Sequence, residues 1–205
     1  MKKTFAGVVG LFMLLMLPVV SFSAAPGPYI TGNMGMSFLT DSDMSDPYGT
    51  VTLEFDPGFA TSFAGGYNFG MFRVEGEIGY QINDIDKVSA GGYSANASGD
   101  VTALSLMANG YFDFVNKTPF TPYITAGIGM ARLDVNDFAI RRVWIGDSDD
   151  TVFAYQFGAG IAYAINKNFS IDLRYRYFAT SDPDFDGVDS EFASHNVYLG
   201  LRYSF

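Results

Sequence analysis

The sequence predicts an all-β protein, an eight-stranded antiparallel transmembrane up-and-down β-barrel. Three observations predict this fold: an N-terminal export signal, segments of about ten residues with apolar side chains at every second position, and connections that are alternately short and long. The composition agrees, because aromatic residues make up 17% of the chain and Gly occurs 23 times. Aromatic residues are typical of strands, and Gly is typical of tight turns.

The first residues have the pattern of an export signal. Two Lys near the N-terminus precede an apolar run that ends at Val20, and small residues up to Ser23 suit cleavage by a signal peptidase. A membrane anchor is the alternative, but the run is short for a span and is interrupted by Pro18. We therefore expect residues 1–23 to be a signal peptide and residues 24–205 to form the outer-membrane barrel.

The net charge and the absence of Cys exclude several classes of partner and site. The net charge of −10 argues against a nucleic-acid partner, because phosphate binding needs a basic surface. Cys is absent, which excludes disulfides, Cys-ligated metals and Cys nucleophiles. We expect no cofactor.

Alternating apolar and polar or small residues define the eight predicted strands. In the third of them, apolar residues alternate with Arg73, Glu75 and Glu77. The predicted strands are 29–39, 59–69, 71–82, 101–114, 120–133, 152–165, 169–178 and 192–205. One face is apolar and should meet lipid, whereas the other is rich in Gly and Ala, which suit a narrow barrel interior.

The connections between these strands alternate in length. The short ones are 68–70, 115–119 and 166–168, and they are rich in turn-forming residues. The long ones are 40–58, 83–100, 134–151 and 179–191. This alternation is typical of a membrane barrel with short turns in the periplasm and long loops outside, and a soluble β-sandwich would not need it.

Five stretches carry a family resemblance through their order and spacing. They are residues 64–70, 72–77, 106–114, 121–131 and 199–205. Together they resemble the outer-membrane β-barrel family that includes the OmpA transmembrane domain and the opacity-type surface antigens. The resemblance implies a bacterial outer-membrane location among outer-membrane lipid and lipopolysaccharide. It also implies that Tyr203 and Phe205 form the signal that the outer-membrane assembly machinery recognises.

Charged residues on the inner face should form an ion-pair network in the lumen. The inward charged residues are Arg73, Glu75, Glu77, Asp113, Asp172, Arg174, Arg176 and Arg202. In a narrow interior of low dielectric such charges must pair or hydrogen-bond. A network that plugs the lumen is one interpretation, and a narrow or gated pore for small solutes or ions is the other; eight strands leave no wide channel.

The sequence does not predict an enzyme. The chain has one His, His195, which follows Ser194. Adjacent residues of a strand point to opposite faces, so the two cannot act as base and nucleophile together.

The long loops are acidic, and the fourth resembles the start of a calcium-binding loop. Its candidate oxygen ligands are Asp182, Asp184, Asp186 and Asp189. However, Ala193 occupies the position of the expected bidentate Glu, so a solvated acidic loop is the alternative. We therefore predict a surface protein or antigen whose acidic loops contact host or environmental ligands, with a narrow channel as the alternative function.

Overall fold

The computed structural model describes residues 26–40, 42–46, 49–90, 93–140, 143–181, 184–185, 188–189 and 192–205, with side chains described for 26–40, 55–86, 99–134, 149–181 and 192–205. Its strands are β1 (Gly27–Leu39), β2 (Ser42–Asp46), β3 (Gly49–Phe55), β4 (Gly58–Asn68), β5 (Phe72–Ala90), β6 (Tyr93–Asp113), β7 (Phe120–Ile140), β8 (Val143–Ala164), β9 (Phe169–Thr180), β10 (Asp184–Phe185), β11 (Val188–Asp189) and β12 (Ala193–Ser204). Within these ranges no helix is long and apolar enough to cross a membrane.

Eight of the strands close into a barrel. Their order around the ring is β5, β4, β1, β12, β9, β8, β7 and β6, and pairing of β5 with β6 closes it. Every neighbouring pair is antiparallel, including the first and last barrel strands, where Tyr29 is opposite Ser204. The predicted eight-stranded antiparallel barrel is confirmed.

Side chains alternate between a buried interior and an exposed apolar exterior. On β9, Asp172, Arg174 and Arg176 are buried inside the barrel, whereas Leu173 and Tyr175 point outward. Large apolar residues cover the outside of the ring, and Leu106, for example, is 64% exposed in the isolated chain. This arrangement places lipid, rather than water, against the outer face.

Short turns join the strands at one end of the barrel, which the sequence predicts to face the periplasm. Gly70 has φ = 104°, which favours Gly, and its backbone N–H donates to the Asn68 side chain (2.8 Å). At the β8–β9 turn, the Asn166 side chain accepts from the backbone N–H groups of Asn168 (2.9 Å) and Phe169 (2.8 Å). Local hydrogen bonds of this kind explain why Asn recurs in these turns.

At the opposite end, all four of the predicted long loops contain strands. β5 and β6 extend through most of 83–100, and β7 and β8 extend through most of 134–151; β2 and β3 lie within 40–58, and β10 and β11 lie within 179–191. The predicted strands end earlier than the observed ones, because the prediction followed apolar alternation. Backbone pairing continues where the outer face becomes polar, since the ladder needs the backbone and not apolar side chains.

These extensions form a sheet above the barrel. We call β2, β3 and the strand segments 84–90, 93–100, 134–140 and 143–150 the crown. Pairing runs in the order β2, β3, β5, β6, β7 and β8. At its base the outward residues become charged: Arg132 lies 3.2 Å from both Asp134 and Asp149. The crown therefore rises from the polar border of the membrane.

Candidate functional sites in the lumen and the crown

The structure places all eight charged residues of the predicted lumen network inside the barrel. Each is buried, with at most 8% of its surface exposed, and Glu77 is not exposed at all. They come from β5, β6, β9 and β12 and lie in the periplasmic half of the lumen. Their inward direction follows from the strict two-residue alternation of these strands.

Arg73 and Asp113 form a bidentate ion pair within the network. The Arg73 guanidinium donates two hydrogen bonds to the Asp113 carboxylate, at 2.8 and 2.9 Å. Its carbon also lies 4.2 Å from the centre of the Tyr111 ring. A bidentate ion pair stacked on an aromatic ring fixes the guanidinium in both position and orientation.

Glu77 joins two arginines of β9. Its Oε2 accepts from Arg176 at 2.7 Å and from Arg174 at 3.4 Å. Ser62 of β4 donates to the same oxygen at 3.2 Å. One carboxylate therefore connects β4, β5 and β9 across the lumen, and these strands are not neighbours of one another except for β4 and β5.

Arg174 lies at the centre and is shared among several acceptors. It contacts Asp172 (3.6 Å) and the hydroxyl groups of Tyr111 (3.1 Å) and Tyr123 (3.3 Å). The Tyr123 hydroxyl in turn donates to Asp172 at 2.5 Å. These contacts link β6, β7 and β9, so the network reaches around most of the ring.

Two members of the network do not pair as the sequence suggests. Glu75 accepts from the hydroxyl groups of Tyr29 (3.0 Å) and Tyr111 (2.7 Å) and forms no salt bridge with the described arginines. Arg202 faces the Tyr29 ring at 5.7 Å, and its Nε has no hydrogen-bond partner among the described side chains. The expected balance of four arginines and four carboxylates therefore holds in number but not as four ion pairs.

Sequence reasoning missed the tyrosines of this network. Tyr29, Tyr111, Tyr123 and Tyr198 are buried in the lumen and supply hydroxyl donors or aromatic faces to its charges. The sequence could have placed these tyrosines in the lumen, because they occupy the same alternate strand positions as the charged residues.

Apolar side chains fill the lumen nearer the crown. The cluster consists of Ile85, Val101, Ala103, Met107, Ala131, Leu133, Val152, Ala154, Phe178 and Phe192. Between this cluster and the charged layer, Gln81, Ser105, Arg176 and Asn196 line a cavity of about 10 Å³. That volume admits about one water molecule, so side chains nearly fill the lumen at this level.

Ser194 and His195 lie on opposite faces of β12. Ser194 is inside and donates to the Gln81 side chain (3.2 Å). His195 is outside, where its Nδ1 lies 2.7 Å from the Tyr175 hydroxyl. The structure does not bring this pair together as a base and a nucleophile.

The possible cation-binding loop stays a prediction. Asp182 and Asp186 lie outside the described residues, and Asp184 and Asp189 are opposite each other in the β10–β11 hairpin without described side chains. Elsewhere in the described chain no cluster of His, Asp or Glu has the arrangement of a metal site.

The C-terminal aromatic residues lie at the periplasmic end of β12. Tyr203 packs on Phe169 (ring centres 5.0 Å apart) and on Phe205 (5.0 Å). Phe205 is 69% exposed. Their predicted role as an assembly signal remains a prediction.

Known proteins share this architecture over nearly the whole chain. A family model described as "Outer membrane protein beta-barrel domain" matches residues 8–205. The outer membrane protein PagN of Salmonella typhimurium is 28% identical, over 95% of this chain and 98% of that protein. The crystal structure of Neisserial surface protein A superposes with a TM-score of 0.59 at 22% identity, covering 87% of this chain and 97% of that one. Ail, the attachment invasion locus protein of Yersinia pestis, solved with the heparin analogue sucrose octasulfate, gives 0.50 at 18% identity, covering 87% of this chain and 99% of that one.

Proposed function

The chain belongs to the outer membrane protein β-barrel domain family, and we propose that it acts as a surface protein whose crown binds partners outside the cell. It is a protein of the bacterial outer membrane. The proposed partners are proteins or surfaces of a host or the environment. Outer-membrane lipid and lipopolysaccharide would surround the apolar face, and the assembly machinery would insert the barrel.

The observation that carries this proposal is the contrast between a packed lumen and a tall crown. The charged layer around Glu77 and the apolar cluster around Leu133 occupy the described interior at two successive levels. β5 to β8 meanwhile continue beyond the charged border at Arg132. Side chains that fill a lumen stabilise a barrel, whereas strands above the membrane are positioned to meet other molecules.

The names of two similar proteins also support a function at the cell surface. Ail is described as an attachment invasion locus protein, and Neisserial surface protein A as a surface protein. At 18% and 22% identity these likenesses concern the fold, so the contacts that this chain makes have to follow from its own crown.

We propose that the protein is not an enzyme. Ser194 and His195 are separated by the barrel wall, and each already has a hydrogen-bond partner on its own side. Exchanging His195 for Phe should leave binding to cells unchanged. A hydrolytic activity on lipid that disappears in this variant would contradict the proposal.

The narrow channel remains the alternative, and packing of the lumen counts against it. Purified protein, refolded into planar bilayers, should give no stable and reproducible conductance steps. Reproducible openings in the unmodified protein would favour the channel. Openings that appear only after Glu77 is exchanged for Gln would instead indicate that the ion-pair layer closes the lumen.

Truncation of the crown tests the adhesive function. Residues 88–95 and 139–145 can each be replaced by an Asn-Gly turn, because Lys87 is opposite Asn96 and Phe138 is opposite Gly146. Bacteria carrying the truncated protein should adhere to cultured cells or matrix proteins no better than bacteria without it.

A matched control replaces the periplasmic residues 115–119 and leaves the crown intact. Both variants should retain the heat-dependent gel migration of a folded barrel, and only the crown variant should lose adhesion. Unchanged adhesion after crown truncation would refute the proposal.

A further inference from the structure

We propose that two neighbouring turns at the end of the barrel opposite the crown bind the headgroup of an anionic phospholipid. They are the β6–β7 turn, residues 114–119, and the β8–β9 turn, residues 165–168, which we call the lysine turns. Lys117 and Lys167 would bind the phosphate, and the apolar side chains beside them would contact the acyl chains. This inference goes beyond the proposed function, because it concerns the other end of the barrel.

The chain separates its charged residues between the two ends of the barrel. The four long connections at the crown end together contain eighteen Asp or Glu and three Lys or Arg. The four remaining carboxylates of the chain are buried in the lumen, and they are Glu75, Glu77, Asp113 and Asp172. Each lysine turn contains one Lys and no Asp or Glu. An anion is therefore repelled at the crown end and attracted to the lysine turns.

Lys117 and Lys167 are exposed and are not used to hold their turns. Each follows an Asn whose side chain stabilises the turn instead. The Asn116 side chain accepts from the Thr118 N–H at 2.7 Å, and the Asn166 side chain holds the other turn in the same way. Within the described chain neither Lys forms a salt bridge or a side-chain hydrogen bond. Both ammonium groups are therefore available to a ligand.

The lysine turns are adjacent on the rim of the barrel. β7 and β8 pair between them, with Phe120 opposite Tyr163, and the Ala164 N–H donates to the Pro119 carbonyl at 3.0 Å. The turns are thus two strand spacings apart, or about 10 Å. A Lys side chain is long enough to lean along an apolar surface, so both ammonium groups can approach one phosphate between the turns.

Exposed apolar side chains border both lysines on the face that meets lipid. Phe114 and Ile165 are each 48% exposed. Between the turns, the rings of Phe120 and Tyr163 pack with their centres 5.0 Å apart. A phospholipid fits this surface better than a soluble anion or an anionic cell-wall polymer, because its chains cover the rings while its phosphate contacts the ammonium groups.

The other charges at this end do not cancel those of the lysines. Asp113 is buried and pairs with Arg73 at 2.8 Å, and Arg202 adds a positive charge inside the lumen. The Asn168 side chain bonds the β8–β9 turn to the end of β12. A terminal carboxylate at Phe205 would leave the site positive, because it would oppose two exposed ammonium groups.

The test measures lipid binding to the refolded barrel in detergent by native mass spectrometry. The probes are phosphatidylglycerol, which is anionic, and phosphatidylcholine, which has no net charge. We expect phosphatidylglycerol to bind at least tenfold more tightly, and this preference should weaken with salt. The double variant Lys117→Gln/Lys167→Gln should lose the preference, because each Lys near an anionic headgroup contributes about fivefold to affinity.

A matched control removes two positive charges from the other end of the barrel. Lys87→Gln/Arg132→Gln should keep the preference for phosphatidylglycerol, and Lys117→Arg/Lys167→Arg should keep it as well. Glycerophosphoglycerol has the same headgroup without acyl chains and should bind at least tenfold more weakly than the lipid.

Three results would each overturn the inference. They are an unchanged preference in Lys117→Gln/Lys167→Gln, an equal loss in Lys87→Gln/Arg132→Gln, and equal affinities for the lipid and its soluble headgroup. Heat-dependent gel migration verifies that each variant is folded. Bacteria carrying Lys117→Gln/Lys167→Gln should adhere normally because the crown is intact, so failure of this inference and failure of the proposed function are distinguishable.

Discussion

Exchange of Glu77 for Gln is the sharpest test of the lumen network. Gln keeps the size of the side chain and removes its negative charge. Arg176 (2.7 Å) and Arg174 (3.4 Å) would then lose a carboxylate in an interior where Glu77 has no exposed surface. Both arginines are themselves buried, each with 3% of its surface exposed.

The expected loss of stability is about 3–5 kcal/mol, the range for removing one partner of a buried ion pair. Arg174 keeps Asp172 and two tyrosine hydroxyls, so most of the loss should come from Arg176. An exposed pair provides the comparison. Arg132 and Asp149 have side chains 54% and 59% exposed, and Asp149→Asn should cost at most about 1 kcal/mol.

The assay is urea unfolding of the protein in lipid vesicles, followed by Trp144 fluorescence and by heat-dependent gel migration. Arg176→Met and the double variant Glu77→Gln/Arg176→Met complete a thermodynamic cycle. The double variant should be more stable than the sum of the single changes predicts, by at least about 2 kcal/mol, because it leaves fewer uncompensated charges. A loss for Glu77→Gln no larger than for Asp149→Asn, or strict additivity in the cycle, would refute the reasoning.

Three further predictions concern other parts of the barrel. Gly129→Ala should destabilise the barrel by about 1–3 kcal/mol in the same urea titration, because a Cβ there would lie 2.8 Å from the Met107 Cα. The control is Gly76→Ala, which should be nearly neutral, because a Cβ there would have no atom within 4 Å. Phe205→Ala should reduce the amount of protein in the outer membrane of growing cells but leave refolding in detergent unchanged, and equal amounts in cells would contradict the assembly role. Calorimetry with Ca²⁺ should show saturable heat that Asp184→Asn diminishes if the fourth loop binds the ion; no heat at millimolar metal would remove the specific site.

The barrel was predictable because lipid imposes a two-residue period. Every second residue meets hydrocarbon, so positions such as Leu106 are apolar and their neighbours are small or charged. The same parity identified all eight charged residues of the lumen. It also marks Tyr29 as inward.

The crown was not predictable in the same way. Beyond Arg132 the apolar alternation that marks a strand ends in the sequence, while the backbone ladder continues. The alternation of side chains between the two faces of a strand also does not show which charged residues pair. Glu75 is bound by two tyrosines because Arg73 pairs with Asp113 across β5 and β6, a choice that depends on register and side-chain reach.

The division of the molecule into lumen and crown separates stability from binding. The ion pairs of Glu77 and the apolar cluster at Leu133 hold non-neighbouring strands together inside the ring, so changes there should alter unfolding. The crown continues beyond the charged border at Arg132, outside this ring, so truncation of residues 88–95 and 139–145 should alter binding and not the unfolding of the barrel. A protein that bound its partner through the lumen would show the opposite pattern: Glu77→Gln would abolish binding, and truncation of the crown would leave binding unchanged.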